Sequence, residues 1–205
     1  MTARRIAWLV VFFGVLAWSG FAPKDYPTWW LEVSPALIAF VVLYATHRRF
    51  PLTTLSYVLI LIHCVILMIG GHYTYAEVPI GDWLRDVTDG TRNNYDKLGH
   101  LAQGFVPAVV AREILIRLDV VRSRAWMYFF IVASVLGFSA FYELIEWWVA
   151  LLSEEAAESF LGTQGYAWDT QSDMGWALLG AIAGLLMLSP LQDRQMAALE
   201  AETPV

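Results

Sequence analysis

The stretch "LSYVLILIHCVILMIGG", Leu55 to Gly71, decides the fold, because it carries no Asp, Glu, Lys or Arg and spans about the 17 to 25 apolar residues that a transmembrane helix needs. Runs of the same kind recur outward from it, near 6–22, 32–46, 98–116, 125–151 and 172–189. The chain therefore reads as all-α, a polytopic membrane bundle of about six transmembrane helices forming one integral membrane domain over 1–205. Its composition agrees, with 58% hydrophobic and 16% charged residues, ten Trp and a mean hydropathy of +0.53. These values lie outside the soluble range and exclude a soluble enzyme on a single anchor. Nothing in the charge pattern supports nucleic-acid binding. The single cysteine, Cys64, lies within an apolar run and has no intramolecular partner.

The N-terminal "MTARRIAWLVVFFGVLAWSGFAPK" has the basic flank of a signal peptide. Its apolar run is long for a signal core, and Trp18 suits a membrane interface, so a retained first helix is expected. Orientation follows from the basic residues. Arg4, Arg5, Arg48, Arg49, Arg117, Arg122, Arg124 and Arg194 fall on one side of a six-helix arrangement, and only Lys24, Arg85, Arg92 and Lys97 on the other. The positive-inside rule then places both termini in the cytoplasm, with Arg112 snorkelling from the inner end of the fourth helix. On the outer side, "LSEEAAESFLGTQG" is expected to form a short interfacial helix with Glu154, Glu155 and Glu158 on its polar face, closed by Gly162 or Gly165.

The outer ends of three helices carry polar residues at one depth. In "NNYDKLGHLAQG", Asn93 to Gly104, a step of about 100° per residue puts Asp96, His100 and Gln103 on one face. In "FYELIEWW", Glu143 and Glu146 lie about 60° apart, and Glu143 sits roughly 27 Å along its helix, in the outer leaflet. In "YAWDTQSDMGWALLG", Asp169 and Asp173 are one turn apart. Asp96 or Asn94 has the character of an N-cap, and Thr170 with Asp173 the spacing of a capping box. Glu143 and Glu146 resist that explanation. A carboxylate inside a bilayer costs a few kcal/mol, and two at i, i+3 repel one another.

Two neutralising arrangements present themselves. One is an ion-pair network with Lys97 and Arg92; the other is a divalent metal, zinc, manganese or magnesium, on His100, Glu143, Asp169 and Asp173. In the metal reading, Glu143, Glu146 and Asp96 carry the chemistry, while Lys97, Arg92, Gln103, His72 and Glu77 bind substrate. His72 and Glu77 come from "GGHYTYAEVPIGDW", where Gly70 and Gly71 are expected to end the third helix and Pro79 to stiffen the exit. His63 is expected on the opposite face as a packed core histidine, and His47, beside Arg48 and Arg49, as inner flank.

The ordered motifs "GGHYTYAEVP", "RNNYDKLGH", "YELIEW" and "WDTQSDM" resemble the YjdF-type family of bacterial inner-membrane proteins across essentially the whole chain. That resemblance implies an inner-membrane, multi-pass protein and no particular reaction. The D-K-x-x-H element, a later helix acid and an Asp-containing last helix are more distantly similar to VanZ-like membrane proteins. The residues themselves suggest two classes of function. One is a metal-dependent hydrolase or transferase acting at the outer leaflet, with membrane lipids around it and an anionic lipid or lipid-linked head group as substrate. The other is a non-catalytic lipid-binding or transport protein in which the acids relay protons or bind a cationic solute.

Overall fold

In the computed structural model, which describes residues 3–152 and 164–202, the chain is helical and no strand occurs among the described residues. The helices are α1 (Ala3–Ser19), α2 (Tyr26–Thr46), α3 (Thr54–Tyr73), α4 (Pro79–Val87), α5 (Tyr95–Arg117), α6 (Arg124–Leu152) and α7 (Asp169–Glu202), with a 3-10 turn at Tyr75–Glu77. Four of them, α2, α3, α6 and α7, are long and apolar enough to cross a membrane. The acidic stretch with Glu154, Glu155 and Glu158 lies outside the described residues, apart from its last residues, Gln164 and Gly165.

Local chemistry sets the boundaries, and several differ from the sequence expectation. Helix α2 starts at Tyr26 and not near 32, because the Asp25 carboxylate accepts from Thr28 N at 2.8 Å and Pro27 fits the first turn. Helix α3 does not stop at Gly70 and Gly71. It runs on to Tyr73, and Thr74 breaks it with φ of 60°. The two glycines instead make room for neighbours: a Cβ on Gly71 would lie 2.9 Å from Val33 Cγ2, and one on Gly70 would enter the Tyr75 ring. The expected outer loop contains α4, whose first turn Pro79 opens. Helix α7 continues past 189 and through Pro190, since its C-terminal part is tied to α3 and α5 by tertiary bonds.

The bundle has two halves. Phe12, Trp29, Val33, Ala36, Cys64 and Met68 form the core between α1, α2 and α3. Ala108, Met127, Ile131, Val135, Ala181 and Leu185 form the core between α5, α6 and α7. Contact of α3 with α5 joins them. Helix α5 packs most closely on α7, where a Cβ on Gly104 would collide with the Ala177 carbonyl and one on Gly180 with the Leu101 carbonyl. Small residues of this kind let membrane helices meet backbone to backbone. Side chains such as Val10, Ile38, Val41, Phe129, Phe138 and Leu186 point outward. On a water-exposed surface such an array would be unfavourable; against lipid it is expected.

A polar lock ties α5 to the start of α3 and the end of α7 at one end of the bundle. Glu113, fully buried, accepts from Thr53 N (2.7 Å), Thr53 Oγ1 (2.7 Å), Ser56 Oγ (2.5 Å) and Arg117 Nη1 (3.0 Å). Arg112 does not snorkel. It is 2% exposed and donates to Gln192 Oε1 and Asp193 Oδ1 of α7, which explains why that helix extends as far as it does.

Candidate functional site

The polar centre forms where α5, α6 and α7 begin or end at the opposite end of the bundle from that lock. Helix α5 contributes Asp96, Lys97, His100 and Gln103; α6 contributes Tyr142, Glu143 and Glu146; α7 contributes Asp169 and Asp173. Lys97 Nζ donates to Asp169 Oδ1 at 2.6 Å and to Asp173 Oδ1 at 2.7 Å, and stands 3.4 Å from Asp96 Oδ2. Arg92, in the loop before α5, donates to Asp169 Oδ1 at 2.8 Å and pairs with Asp96. Partial burial pulls the Arg92 pKa down, but its bond to Asp169 and the charges of Asp96, Asp169 and Asp173 outweigh that and hold it above its ordinary value. The Tyr166 ring covers both cations, at 5.5 Å from Arg92 and 5.7 Å from Lys97. Its loop is pinned by Gln164, which exchanges hydrogen bonds with the Asn93 backbone at 2.8 and 2.9 Å.

One step deeper the pairing runs out. His100 Nδ1 faces Gln103 Oε1 at 2.9 Å, an oxygen that can only accept, so Nδ1 carries the proton. The other ring nitrogen, Nε2, then faces two carboxylates, Glu143 Oε1 at 3.8 Å and Asp173 Oδ1 at 3.9 Å. These separations are too long for hydrogen bonds. Glu143 Oε1 is buried and has no hydrogen-bond partner. One donor atom from each of His100, Glu143 and Asp173 lies within 4.8 Å of the other two. Ligand atoms held about 2.0 to 2.2 Å from one ion stand roughly 3 to 4 Å apart, so the gap has the size of a cation.

The arrangement gathers Asp96, Lys97, His100, Gln103, Glu143, Asp169 and Asp173, with Arg92, as the helical spacing implies. It also revises several roles. Asp169 Oδ1 accepts from both Arg92 and Lys97, and two overlapping groups bring donor atoms close enough for a cation, His100 with Glu143 and Asp173, and Asp96 with Asp169 and Asp173. Arg92 and Lys97 are engaged by carboxylates. Asp96 is held by Arg92 and by Lys97 N (2.7 Å), and Asp173 takes the Lys97 ammonium in place of a cap at its own helix start. His72 and Glu77 turn elsewhere. His72 Nδ1 lies 3.0 Å from Ser19 O with its ring on Trp18, and Glu77 pairs with Lys24 in the open. His63 Nε2 is buried without a hydrogen-bond partner.

Two further residues belong to the centre. Glu32 of α2 is 4% exposed and accepts from Tyr142 Oη at 2.9 Å. Tyr75, lodged against Gly70 and Gly99, lies close to Glu32. Burial pushes the Tyr75 phenol well above its ordinary pKa, and the charges of Glu32, Tyr95, Glu146 and Asp96 push it the same way, so it remains a donor. Had the cap signal at Asp25 and Pro27 been used to start α2, Glu32 would have stood out as an intramembrane acid.

Comparison with known proteins agrees with this architecture. The model of a family described as "Predicted membrane protein (DUF2238)" matches residues 4–194. The chain is 50% identical over 182 residues to the "Inner membrane protein YjdF" of Escherichia coli (strain K12), covering 89% of this chain and 87% of the relative. No solved structure matches. The relative's description and the four apolar spans support a bacterial inner-membrane location. On the breadth of that match, the chain belongs to the DUF2238 family of membrane proteins.

Proposed function

We propose that this is a metal-dependent hydrolase or transferase of the inner membrane, acting on a lipid or lipid-linked head group at the outer leaflet. The observation that carries the reading is the unpaired contact of His100 Nε2 with Glu143 and Asp173, where two acceptors and a lone pair converge with no proton between them. A divalent ion removes that conflict. One imidazole with two carboxylates suits zinc or manganese, and the ion would supply Lewis-acid polarisation of an ester or phosphoester. Gln103 fixes the His100 tautomer. Arg92 and Lys97 hold Asp169 and Asp173 in place, and Glu146, without a hydrogen-bond or ion-pair partner among the described residues, is the carboxylate left to meet a substrate. Elemental analysis of protein purified without added metal tests the idea. Near-stoichiometric zinc or manganese that disappears in Glu143→Gln supports it. A wild type free of metal refutes it and favours a second reading, a non-catalytic lipid-binding or transport protein whose acids are organised by the ion pairs of Arg92 and Lys97.

The full span count belongs to the same proposal. Helix α1, with 17 residues, falls at the short end of the spanning range of about 17 to 25. Helix α5 need not be apolar, since α3, α6 and α7 surround it. Six spans and the distribution of basic residues put both termini in the cytoplasm and the polar centre outside. A single cysteine at Gly90 should then react with an impermeant thiol reagent applied to intact spheroplasts, and one at Ser123 should react only after lysis. The reverse pattern would invert the topology.

A further inference from the structure

Helix α4 has nine residues, too few to cross a membrane, yet it exposes an apolar stripe. Ile80, Trp83, Leu84 and Val87 recur at i, i+3, i+4 and i+7, so they share one face, and all four are exposed. The protein takes another side of the helix. Gly81 is buried, and a Cβ there would run into the side chain of Asn93, itself fully buried. Asn93 Nδ2 donates to Val78 O at 2.9 Å and to Asp82 Oδ1 at 3.0 Å. Arg85 is satisfied within the helix by Asp82 and Asp86. Packing through Gly81 and Asn93 therefore turns the stripe away from the bundle.

Two observations say what covers it. One is continuity. Pro79 and Ile80 line an open apolar groove with Trp18 of α1 and with Ile69 and Tyr73 of α3, so the stripe runs on into the flank of a membrane-spanning helix. The other is level. Ser19 touches His72 and Trp29, and Lys97 bonds Asp169, so α1 and α3 end where α2, α5 and α7 begin. Trp18, Tyr26, Trp30 and Trp168 stand exposed at those helix ends, as Trp and Tyr do at a membrane–water interface. Trp83 joins them, because α4 lies between the end of α3 and the start of α5.

We propose that α4 lies in the plane of the bilayer surface, with Ile80, Trp83, Leu84 and Val87 among lipid chains and Asp86 among the head groups. A helix of this kind sinks its apolar face about 5 to 10 Å into the boundary between head groups and acyl chains. The seat bears on the polar centre, since Asn93 follows Arg92 in the chain and Arg92 pairs with Asp96 and Asp169. Helix α4 thus holds that ion-pair layer level with the lipid head groups. The inference needs no metal, and it holds whichever side of the membrane the centre faces.

Nitroxide labels on Leu84→Cys, Val87→Cys and Asp86→Cys, in a Cys64→Ala background and in liposomes of phosphatidylethanolamine and phosphatidylglycerol, test it by power saturation. Cys64 is buried, so the native background serves if Cys64→Ala fails to fold. Oxygen, which concentrates in the bilayer, should relax the labels at 84 and 87 several-fold more than a water-soluble nickel chelate does, and the order should reverse at 86. Chelate reaching all three positions equally would put the stripe in water and overturn the proposal. Exclusion of both reagents from 84 and 87 would overturn it too, since protein, such as a second copy of the chain, would then cover the stripe. Metal analysis of the same samples keeps the two ideas apart: metal-free protein with the expected pattern loses only the catalytic reading, and metal-loaded protein with a wet stripe loses only this inference.

Discussion

Adding a chelator to the wild-type protein should lower its melting temperature by roughly 10 °C and leave Glu143→Gln unmoved. A ligand that binds only the folded state contributes about 4 kcal/mol at a thousand times its dissociation constant, and a chain of this length shifts by roughly 2 to 4 °C per kcal/mol. The substitution is chosen because its effect without metal is small. Glu143 Oε1 has no hydrogen bond to lose, and an amide relieves the repulsion between Glu143 and Asp173 across the His100 ring. Glu143→Gln should therefore melt close to the chelated wild type. Thermal unfolding in detergent, with and without chelator, reads this directly. A wild type indifferent to chelator, with Glu143→Gln no different from it, would show that no ion contributes at His100.

That centre was partly legible in the sequence because two signals coincide at Glu143 and His100. Helical periodicity selects the face, and distance along an apolar run selects the depth; neither requires knowledge of which helices touch. Where the answer depended on neighbours, the same reasoning failed. His72 and Glu77 share the outer level with His100 but belong to the α1 side, where Ser19, Trp18 and Lys24 take them. Spacing offers Asp169 as a ligand but does not show that Arg92 and Lys97 both donate to its Oδ1. Helix α4 escaped notice because a short amphipathic segment with Asp82, Arg85 and Asp86 has too little apolar length to register as a span. Glu32 escaped because the start of α2 was placed by hydropathy and not by its cap. The lock at Arg112 was hidden for a different reason. Arg112 reads as a snorkelling cation until Gln192 and Asp193, some eighty residues away in sequence, are seen beside it.

Lys97→Met should be the most destabilising single substitution at the centre, by about 3 to 5 kcal/mol, because removing one partner of a buried ion pair leaves the other charge uncompensated. The Lys97 ammonium is the cation that touches both Asp169 and Asp173 of α7. Its loss leaves Asp173 facing Glu143 across His100 with Arg92 too far along the chain to replace it, since Arg92 bonds Asp169 and Asp96. The exposed pair of Lys24 with Glu77, with side chains 49% and 55% exposed, supplies the contrast. Lys24→Met should change stability by no more than about 1 kcal/mol. Combining Lys97→Met with Asp173→Asn should restore part of the loss, since the uncompensated charge goes with it, and the sum of the single effects should exceed the double. A bound divalent ion adds one more expectation, that chelator worsens Lys97→Met beyond its effect on the wild type, because ion and ammonium share the neutralisation of Asp173. Equilibrium unfolding in detergent of the wild type, the three single variants Lys97→Met, Lys24→Met and Asp173→Asn, and the double variant decides it. A Lys97→Met variant no less stable than Lys24→Met would mean that α5 and α7 are held by their glycine-to-backbone packing alone and that the ion pairs are incidental to it.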